Sequence, residues 1–162
     1  TEALMRRILV ATLLLFGVAC VSRSGNTNDP GFGPSLTIER FLQAANSVSQ
    51  LSSSEGQGST RMADEIETMA RLFGTRDGSV LGRHPRDEVE QRMFLIARIL
   101  QHDDYRLAGE RAVPGRSREA IEVSVNLTTP NEGVKTVPFT VVRTSNGEWL
   151  IEYIHLEAIT GT

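Results

Sequence analysis

Residues 121–127 read I-E-V-S-V-N-L, and this stretch decides the fold class. Ile121, Val123, Val125 and Leu127 alternate with Glu122, Ser124 and Asn126, the period-2 pattern of a strand with one buried face. On its N-terminal side, residues 105–113 form a further strand, broken at Pro114-Gly115. On its C-terminal side, Thr129-Pro130-Asn131-Glu132-Gly133 is a turn. Val137, Phe139 and Val141 then alternate in a third strand, where Pro138 points to an edge or a bulge. Asn146-Gly147 is a hairpin signal leading into a last strand over 149–159. That strand is apolar on both faces, Trp149, Ile151 and Tyr153 on one and Leu150, Ile154 and Leu156 on the other.

Upstream of Asp104 the period is helical. Ile38, Phe41, Leu42, Ala45 and Val48 form one stripe, which starts at a Ser35 or Thr37 cap and ends in the serine- and glycine-rich residues 52–59. Met62, Ile66, Met69, Ala70 and Phe73 form a second stripe, stopped by Gly74. After the Asp77-Gly78 turn, Ser79, Val80 and Leu81 suit a very short strand. A third helix opens at Pro85, with Asp87 and Glu88 complementing its dipole. Val89, Met93, Ile96, Ala97 and Leu100 make its stripe, and Phe94, Leu95 and Ile99 widen it, so this helix is expected to be the most buried. Helices followed by an antiparallel meander give an α+β class: three helices, then a curved antiparallel sheet.

The N-terminus carries a different signal. Arg6 and Arg7 precede an unbroken run of apolar and small residues over 8–21, including Ile8, Leu13, Leu14, Leu15 and Phe16. A basic flank, a short apolar stretch and small residues are the layout of a secretory signal or a membrane anchor. As a helix the run spans roughly 21 Å, short of a hydrocarbon core of about 30 Å. Adding Ala3, Leu4 and Met5, with both arginines snorkelling, brings it closer to a full span. The chain therefore divides into a hydrophobic membrane segment (1–21), a flexible Gly/Pro linker (22–34) and an extracytoplasmic α+β domain (35–162). The positive-inside rule places everything after Cys20 on the periplasmic or extracellular side.

Gly17-Val18-Ala19-Cys20 resembles a bacterial lipoprotein signal, in which a small residue precedes the cysteine that becomes lipidated. Ala19 and Cys20 match; Gly17 stands where that family usually has leucine. Cys20 is thus either a lipid attachment point or an inert small residue. With residues 1–19 retained, the segment is an uncleaved signal anchor. The order of elements over 35–160 resembles the nuclear-transport-factor-two-like domains. That resemblance implies a cone-like α+β fold whose interior is a pocket, a reaction site or simply a core, and frequent pairing through the open sheet face.

Composition narrows the function classes. With 17 basic and 20 acidic residues the net charge is −3, which disfavours a nucleic-acid-binding surface. Aromatic residues make up 6%, too few for base-stacking platforms. One cysteine makes no internal disulfide, and no Cys/His spacing suggests a metal site. Neither a cofactor nor a metal is expected. The family resemblance makes Tyr153 and His155 candidates for proton transfer, being two apart on one strand face. A tyrosine and a histidine near a strand end are more often packed with wet polar tips, so no catalytic residue is assigned. His102-Asp103-Asp104 suits the end of the third helix and a turn better than a metal. Arg111, Arg116 and Arg118, interleaved with Glu110, Glu119 and Glu122, read as a salt-bridged surface.

The expected function is non-catalytic: an accessory or scaffolding subunit of a larger membrane protein complex of photosynthetic, respiratory or envelope type. The alternative is a lipoprotein holding a small apolar ligand in its cone. Because the last strand is apolar on both faces, its outer face, with Trp149, Ile151 and Tyr153 as candidate contacts, is expected to meet another subunit or a second copy as a homodimer.

Overall fold

The computed structural model describes residues 33–53, 59–116, 118–130 and 132–161. Residues 1–21, read from the sequence as a membrane segment that includes Cys20, and almost all of the expected linker lie outside these residues. Among the described residues no helix is long and apolar enough to cross a membrane.

Two long helices come first, α1 (Pro34–Ser53) and α2 (Ser59–Leu72). A small hairpin follows, β1 (Gly74–Thr75) with β2 (Gly78–Ser79), then α3 (Arg86–Ile99). Four strands make an antiparallel meander: β3 (Asp104–Ala112), β4 (Ala120–Thr129), β5 (Gly133–Arg143) and β6 (Trp149–Ile154), in the spatial order β3-β4-β5-β6. A one-turn helix, α4 (Glu157–Thr160), closes the described chain.

The cone-like expectation is overturned. The structure has four helices, not three, and two open, uncurled sheets, so the nuclear-transport-factor-two-like resemblance does not hold. The last strand stops at Ile154 and does not run on to Ile159. Thr160 N–H donates to the Leu156 carbonyl, and Gly161 N–H to the Glu157 carbonyl. Gly161 ends the turn at φ 70°, a left-handed C-cap that favours glycine. Local helix signals therefore win over strand continuation, and Leu156 and Ile159, three apart, both pack against the core.

α1 organises the interior. Ile38, Phe41, Leu42, Ala45 and Val48 are all fully buried, facing α2, α3 and the sheet. From the sheet, Val123, Val125, Leu127, Val137, Phe139, Val141 and Ile151 meet them. Met69 and Met93 fill the space beneath α2 and α3. The third helix is not the most buried: Leu95 is 53% exposed and Phe94 only half-buried, whereas α1 buries residues along its whole length. Leu95 falls off the stripe set by Val89, Met93, Ile96 and Ala97, and period outranks hydrophobicity.

Pro138 is neither at an edge nor in a bulge, since β5 lies between β4 and β6 and pairs with β4 without a break. Its carbonyl accepts the His155 N–H at 3.0 Å, on the β6 side. In an antiparallel ladder the N and O of one residue point the same way, so its missing N–H also faces β6. There β6 is already ending, and no β4–β5 bond is lost.

The β6 register explains its doubly apolar sequence. Thr140 pairs with Tyr153 but Val141 with Ile151, leaving Glu152 as the extra residue of a bulge. Ile151 and Ile154 therefore both join the core, with Trp149 packed at its margin, while Leu150 and Tyr153 face outwards. Ala120, Val142 and Leu150 are cross-strand partners on that outer side and are buried. The β1–β2 hairpin supplies cover from the same chain: Gly74 lies against Leu150, and the isolated Phe73–Ile151 bridge joins hairpin and sheet.

Charge ties α2 to α3. Glu67 accepts hydrogen bonds from Arg71 one turn along and from Arg86 of α3 at 3.2 Å. The Arg71 hydrogen bond and charge, assisted by Arg86, hold the Glu67 carboxyl below its ordinary 4.5.

Two outcomes follow from this packing. A Cβ at Gly74 would stand 2.4 Å from the Gly78 carbonyl oxygen, 2.8 Å from Ser79 Cα and 2.9 Å from Leu150 Cδ1. Gly74→Ala should cost about 3 kcal/mol in urea unfolding, the upper range for overpacking. Gly109→Ala, with open space around its Cβ, should stay within about 0.5 kcal/mol. Because the folded Glu67 carboxyl is lowered, its stabilisation is complete above pH 4.5 and lost as pH falls through the folded value. Glu67→Gln should therefore flatten the acid limb of the stability–pH curve and leave the slope above neutrality unchanged.

Candidate functional site

The exposed face of α1 is polar. Gln43, Asn46, Ser47 and Gln50 recur at i, i+3, i+4 and i+7, on the side away from the buried stripe. Opposite them the chain leaves α3 at Leu100 and enters β3 through residues 102–105. Between the two lies an open polar cleft of about 290 Å³. A second hollow of about 250 Å³, lined by Ser47, Gln50, Leu51 and Arg61, adjoins it along the same helix.

His102 sits in the wall of the cleft and is only 5% exposed. Its Nδ1 lies 2.7 Å from the Leu100 carbonyl. A carbonyl only accepts, so Nδ1 carries a proton and Nε2 of the neutral ring is an acceptor. Nε2 has no hydrogen-bond partner among the described residues. The ring meets Tyr105 edge-on at 5.7 Å, and the Tyr105 hydroxyl accepts from Gln43 Nε2 at 3.5 Å. Asp103 and Asp104 stand exposed at the mouth, and no ion pair engages them among the described residues. The Asp103 N–H donates to the Thr128 carbonyl at 2.8 Å, which ties this corner to the β3–β4 ladder.

The candidates read from the sequence fall elsewhere. Tyr153 is 52% exposed on the outer sheet face, in T-shaped contact with His155 at 4.8 Å. His155 Nδ1 pairs with Glu157 Oε1 at 2.8 Å. The Glu157 carboxyl is lowered by its own backbone N–H and then by His155. Tyr153 and His155 thus stand together on the surface just ahead of α4. Of the three residues grouped as an interface, Ile151 is fully buried in the core, Trp149 is half-buried against it, and Tyr153 is on the opposite side. The bulge at Glu152 separates them, a device that period-2 reading cannot see.

The arginine cluster is divided among partners. Arg111 pairs with Glu122 at 2.7 Å. Arg116 grips Glu152 with two bonds of 2.7 and 3.1 Å, and Glu152 raises its pKa. Glu119 pairs with Arg76 of the β1–β2 turn at 2.8 Å. Among the described residues no group of three or more His, Cys, Asp or Glu side chains is placed to hold a metal ion.

In comparison with known proteins, no family model, no curated protein and no solved structure matches the chain.

The two sides of β6 separate in their response to truncation. Ile151→Ala should cost about 2–5 kcal/mol by urea unfolding, as expected of a buried core side chain. Tyr153→Phe, on the exposed side, should stay within about 0.5 kcal/mol.

Proposed function

We propose that this chain is a non-catalytic extracytoplasmic domain, tethered to a membrane by its N-terminal segment and serving as an accessory or scaffolding subunit of a larger membrane protein complex. The single observation that carries the reading is the organisation of the sequence. Arg6 and Arg7 head an apolar run, a Gly/Pro linker follows, and a folded domain starts at Pro34. A lone hydrophobic helix on a linker gains most when neighbouring transmembrane helices pack on it.

The interior favours scaffold over a carrier of apolar ligands. Phe41, Phe139, Met69, Met93 and Ile151 fill the space between helices and sheet, all fully buried. The cleft at His102 is lined mainly by polar side chains and open, unsuited to an apolar guest. With the cone overturned, the apolar-ligand alternative loses the pocket that the resemblance implied. The outer face of the large sheet is available to partners beyond the corner closed by Leu150. There Tyr153, Thr136 and Thr140 share a face with Arg106 and Arg111 of β3.

The full chain should fractionate with membranes, and a chain lacking residues 1–21 should not. Extracted in a mild detergent, the full chain should migrate with other subunits on a native gel. Migration as a lone monomer refutes the proposal. The intact mass of the purified chain separates an unprocessed anchor from a chain lipidated at Cys20.

A further inference from the structure

The cleft beside α1 has no part in the scaffolding role, yet it is built. We propose that it is a binding site for a neutral, polyhydroxylated ligand, a saccharide. The inference goes beyond the proposed function and does not depend on membrane tethering.

The side chains facing the cleft decide the ligand class. Gln43, Asn46 and Gln50 are carboxamides, each offering a coplanar donor and acceptor. That pairing matches two adjacent hydroxyls of a sugar ring, which donate and accept in the same plane. His102 adds an acceptor held in place from behind. It is more than nine-tenths buried and anchored through Nδ1 to the Leu100 carbonyl, and it lines the cleft with Nε2 unpartnered. With no protein partner and not sealed from solvent, that acceptor is open to a ligand hydroxyl. Asp103 and Asp104 at the mouth take further hydroxyl donors, and the Tyr105 hydroxyl donates or accepts.

Charge excludes the competitors. An anion would meet two aspartates with no cation among the side chains lining the main cleft, since Arg61 belongs to the adjoining hollow. A divalent cation would find no group of three His, Cys, Asp or Glu side chains among the described residues. An organic cation could use the two aspartates but would leave the three carboxamides and His102 Nε2 without a role. The cleft volume of about 290 Å³ suits a sugar ring, and its openness lets a longer glycan continue towards Arg61 along α1.

The test is amide chemical-shift mapping of the full chain in amine-oxide micelles, whose headgroup carries no sugar. Glucose, galactose, mannose, N-acetylglucosamine and their short oligomers are titrated, alongside putrescine and inorganic phosphate. At least one saccharide should shift amides at residues 43–50 and 102–105. The N46A/Q50A double variant should abolish those shifts, with its remaining spectrum unchanged, because alanine favours the helix at both positions. The D103N/D104N variant keeps hydrogen-bonding groups but loses charge, so it should weaken saccharide binding by no more than about tenfold. Any one of three results overturns the proposal: no saccharide produces cleft shifts, the shifts survive in N46A/Q50A, or only putrescine or only phosphate binds there. A saccharide response lost completely in D103N/D104N also overturns it, since charge would then be the recognition element.

Discussion

Everything in this domain depends on α1 being covered on its apolar side by three elements at once. A four-stranded meander has one apolar face and no means of closing it, and α2 and α3 each bury only a narrow stripe. α1 supplies the common surface: Ile38, Phe41, Leu42, Ala45 and Val48 reach helices and sheet together. Polar groups pin it without breaking the core. Ser49 Oγ donates to the Ala97 carbonyl of α3 at 2.9 Å, and Thr37 Oγ1 lies within hydrogen-bond reach of the Trp149 carbonyl of β6 at 3.3 Å. Both side chains are buried, so each bond also removes an unsatisfied hydroxyl from an apolar interior.

That central role explains what could be read from the sequence. The stripe of α1 and the alternation of β4 were legible because burial on one face imposes a period, and these elements bury one face without interruption. The stripe over Val89, Met93, Ile96 and Ala97 was equally clear, but the apolar neighbours Phe94 and Leu95 gave α3 more burial than it has. The cone failed for another reason: element order does not specify sheet curvature, and residues 155–161 turn into a helix through hydrogen bonds that no hydrophobic pattern encodes. The bulge at Glu152 was invisible because it is a matter of register between two strands.

The cleft was hidden in a different way. Gln43, Asn46, Ser47 and Gln50 are the polar complement of the α1 stripe, and a polar helix face ordinarily reads as solvent-facing. His102-Asp103-Asp104 read as a helix end followed by a turn. Only the packing of α3 against α1 sets the two segments opposite one another, with His102 sunk into the wall. Sequence separation of more than fifty residues, on the order of half a small domain, kept that pairing out of reach of local patterns.

The bulge in β6 also bears on how this strand could change in length over evolutionary time. Residues 149–154 read W-L-I-E-Y-I, and excising Glu152 leaves W-L-I-Y-I, a strictly alternating strand with every other side chain on its present face. Excising Leu150 instead would turn part of the strand inside out. Glu152, at the bulge, is therefore a place in β6 where a codon could be lost without inverting the core. Its carboxylate, spare to the ladder, is free for Arg116, so a surplus residue in the sheet has become the anchor of the β3–β4 turn.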